Sequence, residues 1–151
     1  MTTTPFIVET KIVPRYAETD AQGVIYHANY IVWFEVARGE YCIAIGYPYA
    51  RIEQEGINFM VTEMSAKYYS PVRYADEVIV KVWLEKIGRA SCHYAYQVYN
   101  QTQNKICVEG YSKHAAVSPE GKIVAFSRTL YDLGHERAGR GPSQYVPQIG
   151  K

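Results

Sequence analysis

The sequence predicts an α+β protein in which a curved antiparallel sheet wraps one long central helix. Residues 27–45 contain no proline and carry apolar side chains at every third or fourth position, the period of a buried helical stripe. Trp33 and Val36 lie outside that stripe, so the helix is apolar around most of its circumference. Several long segments with strand periodicity follow it. Such a helix needs cover on more than one side, and a sheet curled around it provides that cover.

The strands follow from apolar and polar alternation and from the turn signals between alternating segments. Residues 6–14 are rich in β-branched side chains and end at Pro14. After the helix, Gly46 and Pro48 stop helical propagation, and one short helical turn is expected over residues 51–55. Antiparallel strands are then predicted over residues 57–69, 77–87, 90–99 and 106–117.

The chain after the last long strand carries weaker signals. Residues 118–121 are a turn by composition, residues 122–126 are predicted to form a short edge strand, and residues 129–133 a helical turn. We predict no ordered element from Gly134 onward. A single domain is therefore assigned to residues 1–137, and residues 138–151, rich in glycine and proline, are predicted to form a flexible tail.

Bulk properties exclude several classes of function. The 151 residues suit one domain, and a net charge of +1 disfavours nucleic acid as a partner. No apolar run approaches the roughly 20 residues that cross a bilayer, and the first residues lack signal-peptide character. The sequence therefore predicts a cytoplasmic protein without a membrane span. Cys42, Cys92 and Cys107 are an odd number without a Cys-x-x-Cys pair, which predicts reduced packing residues.

The chemistry-bearing residues are concentrated between Tyr16 and Tyr30, just before the long helix. This stretch holds two carboxylates, a glycine, a histidine and three tyrosines. The start of a helix carries free backbone N–H groups and partial positive charge, which suit a developing oxyanion. Asp20 lies seven residues before His27, near enough to face that helix start across the turn.

This stretch resembles the active-site motif of a known enzyme family. The matching pattern is Tyr16-x-x-Thr19-Asp20-x-x-Gly23-Val24-x-Tyr26-His27-x-x-Tyr30. It is similar to the 4-hydroxybenzoyl-CoA thioesterase family of hotdog-fold acyl-CoA thioesterases, and most similar to its YbgC-like branch, over about residues 6–130. The resemblance implies a hotdog fold and homodimers whose sheets join edge to edge, often paired into tetramers. It also implies acyl-thioester hydrolysis at the dimer interface, without a metal or redox cofactor.

The resemblance also implies roles for individual residues. Asp20 would be catalytic, the backbone N–H of His27 would polarise the thioester carbonyl, and the side chains of His27 and Tyr16 would belong to the active site. Gln22 departs from the glycine usual in that branch. Three roles stay open for Asp20. It attacks the thioester as a nucleophile, it acts as general base on a water, or it is a turn residue without a catalytic role. Glu18 is expected to be a solvated or ion-paired neighbour.

The substrate is expected to contact two further groups of residues. Gly23, Tyr30 and Phe34 are candidate pocket residues from one subunit, and Phe59 and Val61 are candidates from its partner. Lys86, Arg89 and Ser91 are candidate CoA-binding residues, with Lys113 as a further cation. His93, His114 and His135 lack partners at ligand spacing, so no metal site is predicted.

The sequence thus predicts a thioesterase acting on a small or medium acyl-CoA. There are two alternatives to acyl-CoA hydrolysis: hydrolysis of acyl groups carried on acyl carrier protein, and acyl binding without catalysis. The sequence does not decide among them, nor between dimer and tetramer.

Overall fold

The structure is a computed structural model that describes residues 5–138, in which one five-stranded sheet and three α-helices are found. The strands are β1 (Ile7–Ile12), β2 (Asn58–Tyr68), β3 (Val78–Ile87), β4 (Ser91–Asn100) and β5 (Lys105–Val117). The helices are α1 (Asn29–Ala44), α2 (Tyr49–Gln54) and α3 (Arg128–Arg137). The predicted α+β class is confirmed, and the predicted long helix and the five predicted strands before residue 118 agree with these bounds to within two residues.

The sheet is antiparallel throughout, with the strand order β1-β3-β4-β5-β2. Strands β3, β4 and β5 form the predicted meander, and β1 and β2 are the two edges. Val78, Val80 and Val82 on β3 are fully buried, because alternate side chains point to the inner face that the helix covers. The register shifts once within the β2–β5 pairing and once within the β3–β4 pairing, and such irregularities bend a sheet.

Helix α1 packs closely on the inner face of the sheet. The ring of Phe34 stacks on Tyr96 of β4 with centroids 4.4 Å apart and planes 8° apart. Gly110 of β5 permits this approach, since a Cβ there would lie 2.8 Å from Phe34 Cε2 and 2.2 Å from the carbonyl oxygen of Ser65. A larger residue at this position would push the helix or β2 away from β5.

Side chains of helix α1 also approach the edge strand β2 at two points. Near its start, the ring of Tyr30 lies 5.6 Å from that of Tyr68, at the end of β2. Further along, Arg38 bonds to Tyr49, whose ring lies 6.2 Å from Phe59 at the beginning of β2. The helix and β2 therefore run in opposite directions. Both carry exposed apolar side chains: Ile31, Val32 and Val36 on α1, and Met60 and Val61 on β2.

Two predictions for the C-terminal part are wrong. Residues 122–126 form no strand, since Ile123 makes a single bridge to Val117. Order does not end at Gly134, because the predicted helical turn is the longer helix α3, capped by Ser127, whose Oγ accepts from Leu130 N at 3.2 Å. Gly134 is buried against β3, where an added Cβ would lie 2.8 Å from Ile87 Cδ1. This packing extends the helix beyond the turn that local sequence suggests.

The predicted tail falls almost entirely outside the described residues. Of residues 138–151, only Ala138 is described; it is buried and its N–H donates to Gly134 O at 2.9 Å. The flexible tail stays a prediction. The three cysteines are free and buried, as predicted. Within residues 5–138, no helix is long and apolar enough to span a bilayer, and no three His, Cys, Asp or Glu side chains cluster as metal ligands would.

Candidate active site

Glu18 fastens the motif to the long helix. It lies in a 3-10 turn, Tyr16–Glu18, and is buried. One carboxylate oxygen accepts from the indole N–H of Trp33 at 3.0 Å, and the other accepts from the backbone N–H of Arg15 at 2.8 Å. The Glu18 carbonyl accepts from Tyr26 N at 2.8 Å. Of the two expected states of Glu18, solvated or ion-paired, the structure shows the ion pair, with Arg15 at 3.6 Å, and Glu18 is buried beneath Trp33.

Asp20 is held by a tight turn that engages only one of its two carboxylate oxygens. Its backbone N–H donates to Val24 O at 2.8 Å, and Gly23 N donates to its carbonyl at 3.0 Å. Oδ1 accepts from Gln22 N at 2.8 Å and from Val24 N at 3.4 Å. Gly23 has a φ of +79°, which favours glycine at this position. Oδ2 accepts no hydrogen bond from any residue between 5 and 138. The turn role and a reactive role are therefore compatible.

Asp20 and His27 line one cleft of about 340 Å³. Tyr30, Tyr68 and Tyr69 provide its aromatic walls. The other lining residues are Val24, Ile25, Ser70 and Pro71. The structure thus brings the carboxylate and the start of the helix to the same cleft, as the spacing of the motif predicts.

His27 immediately precedes α1, where backbone N–H groups are open. No side chain caps this helix, and Ala28 occupies the cap position. In the described part of the chain, no backbone or side-chain group accepts a hydrogen bond from the His27 N–H. The His27 carbonyl accepts from Tyr68 Oη at 2.9 Å, which fixes the peptide, and the imidazole lies 4.4 Å from the Tyr26 ring. An unpaired N–H at a helix start can stabilise negative charge on a bound oxygen.

Comparison with known proteins identifies the family. Residues 14–132 match the family model described as the thioesterase-like superfamily. The chain belongs to this superfamily. The predicted hotdog-fold thioesterase family is therefore confirmed, and so, at the level of the family, is the predicted class of thioester hydrolase.

Individual relatives agree with this assignment. The chain is 32% identical over 127 residues to YneP of Bacillus subtilis, named as a candidate acyl-CoA thioesterase, covering 83% of this chain and 91% of that one. It is 29% identical over 85 residues to the acyl-CoA thioester hydrolase YbgC of Escherichia coli, covering 56% of this chain and 63% of YbgC.

Solved structures show the same fold. A DHNA-CoA thioesterase from Staphylococcus aureus superposes with a TM-score of 0.79 at 36% identity, covering 87% of this chain and 88% of that one. A second Staphylococcus aureus protein, solved in complex with CoA, superposes with a TM-score of 0.83 at 12% identity, covering 97% of this chain and 92% of that one. At that identity the likeness shows the fold alone.

In this thioesterase-like chain, Tyr30 is a wall of the cleft. Its ring is buried, and its Oη accepts from the backbone N–H of Val72 at 3.2 Å. Burial raises the pKa of Tyr30 to about 12, so the phenol stays neutral at physiological pH. Because the Tyr30 hydroxyl is neutral and already accepts a hydrogen bond from the Val72 backbone, Tyr30 is suited to shaping the wall of the cleft.

Five other predicted site residues do not line this cleft within one protomer. Gly23 lies in the turn that holds Asp20 but is not among the lining residues. Tyr16 is 76% exposed, and its ring packs edge-on against Tyr74, with centroids 5.6 Å apart. Phe34 is fully buried in the core. Phe59 lines a different cleft, and Val61 is 48% exposed on the edge strand β2. Phe59 and Val61 were expected from the partner subunit, and that expectation stays a prediction.

The predicted CoA-binding residues are divided between two clefts. Lys86 and Ser91 line a cleft of about 260 Å³ together with Lys113. Arg89 lines a separate cleft of about 570 Å³ with Arg128. The cause is the tight β3–β4 turn, closed by a 2.7 Å bond from Gly88 N to Ser91 O, which points neighbouring side chains in different directions. Within one protomer the three candidates therefore do not line one cleft, and their contact with CoA stays a prediction.

Sequence reasoning missed a buried polar chain that starts at Arg38. Its Nε donates to Tyr49 Oη at 3.1 Å and its Nη1 to Tyr96 Oη at 2.9 Å. Tyr96 Oη lies 2.5 Å from Ser112 Oγ, which lies 2.7 Å from His114 Nε2. Burial lowers the pKa of His114 to about 4, and the Arg38 charge adds to this. The available signal was that Arg38 is four residues from Phe34, on the helix face that forms the core.

Proposed function

We propose that the protein hydrolyses acyl-CoA thioesters with Asp20, in a site completed by a second copy of the chain. The observation that supports this most directly is the shared cleft. Among residues 5–138, one Asp20 oxygen there accepts no hydrogen bond, and the backbone N–H of His27 at the helix start has no acceptor. A carboxylate and an oxyanion donor are the two groups that acyl transfer needs.

The chemistry uses only these groups and water. The carbonyl oxygen of the thioester accepts from His27 N–H, which stabilises negative charge as a bond forms at the carbonyl carbon. In one route Asp20 Oδ2 forms that bond, the CoA thiolate leaves, and water then hydrolyses the mixed anhydride. In the other route water forms the bond and Oδ2 takes its proton, which passes to the leaving thiolate. Both routes require the free oxygen of Asp20.

Dimerisation through β2 supports the interface part of the proposal. Strand β2 has eleven residues with an unpaired edge, and exposed Met60 and Val61 lie on it. The other edge strand, β1, is shorter, with six residues, and so offers less backbone for edge pairing. A symmetric antiparallel β2 pair would set the Tyr68 end of one protomer toward the Phe59 end of the other. Phe59 would then approach the partner's cleft, as expected from the sequence.

The CoA nucleotide has two candidate sites under this proposal. Lys86 and Lys113 offer two cations in one cleft, and Arg89 and Arg128 offer two in the other. Phosphate groups need such cations at the surface. Arg128 already binds the Asp132 carboxylate at 3.0 Å, whereas Arg89 has no ion-pair partner among residues 5–138.

A thiol-release assay across a panel of acyl-CoAs tests the function. We expect turnover by the wild-type protein and its loss in Asp20→Asn. If only acyl groups on acyl carrier protein are hydrolysed, the thiol carrier of the substrate is acyl carrier protein and not CoA. Tight acyl-CoA binding without turnover would favour a non-catalytic binding module. The cytoplasmic location, and a dimer as against a tetramer, remain predictions.

A further inference from the structure

We propose that Tyr68 is a positioning residue, whose hydroxyl holds the start of α1 so that the His27 N–H is aimed at the thioester oxygen. This inference rests on the proposed function and deepens it, because it assigns the part of the fold that directs the oxyanion donor. It concerns contacts within a single protomer and needs none from a second copy of the chain.

The carbonyl of His27 takes its hydrogen bond from the sheet. Tyr68 Oη donates to it at 2.9 Å, and among residues 5–138 no other group donates to this carbonyl. Inside an α-helix the N–H four residues further on would fill this place, but Ile31 N donates to Ala28 O at 3.2 Å instead. The Tyr68 hydroxyl therefore supplies a bond that the helix itself leaves out.

The bonded carbonyl belongs to the middle peptide of a tight turn that leads into α1. Asn29 N donates to Tyr26 O at 2.9 Å, which closes the turn, and Ala28 has the helical angles φ −70° and ψ −21°. The tilt of the His27–Ala28 peptide sets the direction in which the preceding His27 N–H leaves the helix. That direction matters, because an oxyanion donor is effective only at hydrogen-bond distance from the developing charge.

Tyr68 is itself well placed to fix that peptide. It is the last residue of β2 and pairs with Val108 of β5, so its backbone is part of the sheet. Its ring lies 5.6 Å from the ring of Tyr30 and edge-on to the His27 imidazole, with centroids 6.3 Å apart. A tyrosine side chain has only two ring-orienting torsions, and these two contacts restrict them. The sheet therefore determines where the hydroxyl lies.

The Tyr68 hydroxyl remains a donor at physiological pH. Partial burial raises the pKa of Tyr68 above its ordinary value, so the phenol is neutral where the enzyme works. Removing this hydroxyl should therefore leave the pH dependence of turnover unchanged. A general acid or base in the same place would contribute its own titration to that pH dependence.

Tyr68→Phe removes the hydroxyl and keeps the ring. We expect kcat to fall about threefold to thirtyfold, with KM and the pH profile unchanged. The loss is smaller than the roughly 10²-fold to 10³-fold of a deleted oxyanion donor, because the His27 N–H is still present. Tyr99→Phe is the matched control, since it also removes one hydrogen-bonded hydroxyl, which donates to Asn104 between β4 and β5. It should keep the wild-type kcat.

Two acyl-CoA analogues isolate the oxyanion contact. In a trifluoromethyl ketone analogue, a nucleophile adds to the carbonyl carbon, the C–O π bond opens and its electron pair stays on oxygen. A thioether analogue has no carbonyl. Tyr68→Phe should weaken inhibition by the ketone about threefold to thirtyfold, in step with kcat, and should leave inhibition by the thioether unchanged. Equal weakening of both would make Tyr68 only a wall of the cleft and would overturn the inference.

The outcomes separate this inference from the proposed function. Wild-type kcat in a folded Tyr68→Phe protein would overturn the role of Tyr68 and leave the thioesterase standing. If the wild-type protein hydrolyses no thioester, the proposed function fails, and amide hydrogen exchange decides whether Tyr68 holds the helix start. Exchange at residues 26–29 should then be faster in Tyr68→Phe than in Tyr99→Phe. Equal exchange in the two variants would overturn the positioning role as well.

Discussion

The indole N–H of Trp33 donates to the buried carboxylate of Glu18 at 3.0 Å, and this bond joins the reactive turn to the long helix. Trp33 belongs to the helix face that packs inward, so the turn is positioned by the core itself. The orientation of Asp20 toward the start of α1 therefore depends on a contact between residues 15 positions apart.

Removing that N–H should cost stability. Trp33→Phe keeps an aromatic ring but leaves a buried carboxylate oxygen without its donor, so we expect the free energy of unfolding in urea to fall by about 1 to 3 kcal/mol. Trp83→Phe is the matched control, since its N–H donates to Glu85, which is only half-buried and reachable by water. An equal loss in the two variants would contradict the clamping role of Glu18.

Two substitutions separate the roles proposed for Asp20 and His27. Asp20→Asn keeps the shape and removes the reactive oxygen, so kcat should fall by roughly 10²-fold to 10⁴-fold. His27→Ala keeps the backbone N–H, so the loss should be smaller, about tenfold to a hundredfold. Steady-state thiol release measures both, with circular dichroism as the check on folding. Near-native turnover by a folded Asp20→Asn dimer would refute the catalytic assignment.

The sequence predicts those features of the fold and the site that depend on neighbouring residues, and not those that depend on long-range packing. The strands and α1 follow from side-chain periodicity, and the meeting of Asp20 with the helix start follows from seven residues of spacing. The burial of Glu18 is not visible locally, because a carboxylate in a polar turn looks solvated until Trp33 covers it. The Arg38–Tyr96 bond spans 58 positions and depends on how the helix crosses the sheet, which no local pattern specifies.

The two candidate phosphate sites give opposite expectations. If Arg89 holds a CoA phosphate, Arg89→Ala should raise KM for acyl-CoA by about tenfold to a hundredfold with little change in kcat, because the contact is equal in ground and transition states. Lys86→Ala should then have little effect. The reverse result would assign the nucleotide to the cleft of Lys86 and Lys113, and an unchanged KM in both variants at low salt would exclude both clefts.

The edge of β2 should carry the dimer. Val61→Glu places a charge on an exposed apolar position of that strand and should convert the dimer to monomer in light scattering, with loss of turnover. Ile123→Glu is the matched control: Ile123 is 63% exposed and bridges Val117 of β5, so it is not on β2 itself. An active monomer at micromolar concentration would refute the shared site.

His114 should make stability depend on pH. Its folded pKa of about 4 is below the ordinary value of 6.5, so between these values the unfolded chain binds a proton that the folded chain does not. Stability is therefore present above pH 6.5 and is lost as pH falls toward 4, by about 1 to 2 kcal/mol between pH 7 and pH 5. His114→Gln keeps a polar atom for Ser112 and should remove this part of the loss in urea unfolding. His135→Gln, at an exposed position on α3, should leave the wild-type pH dependence intact. If the free energy of unfolding of the His114 variant depends on pH as steeply as that of the wild-type protein, other groups cause the loss of stability in acid.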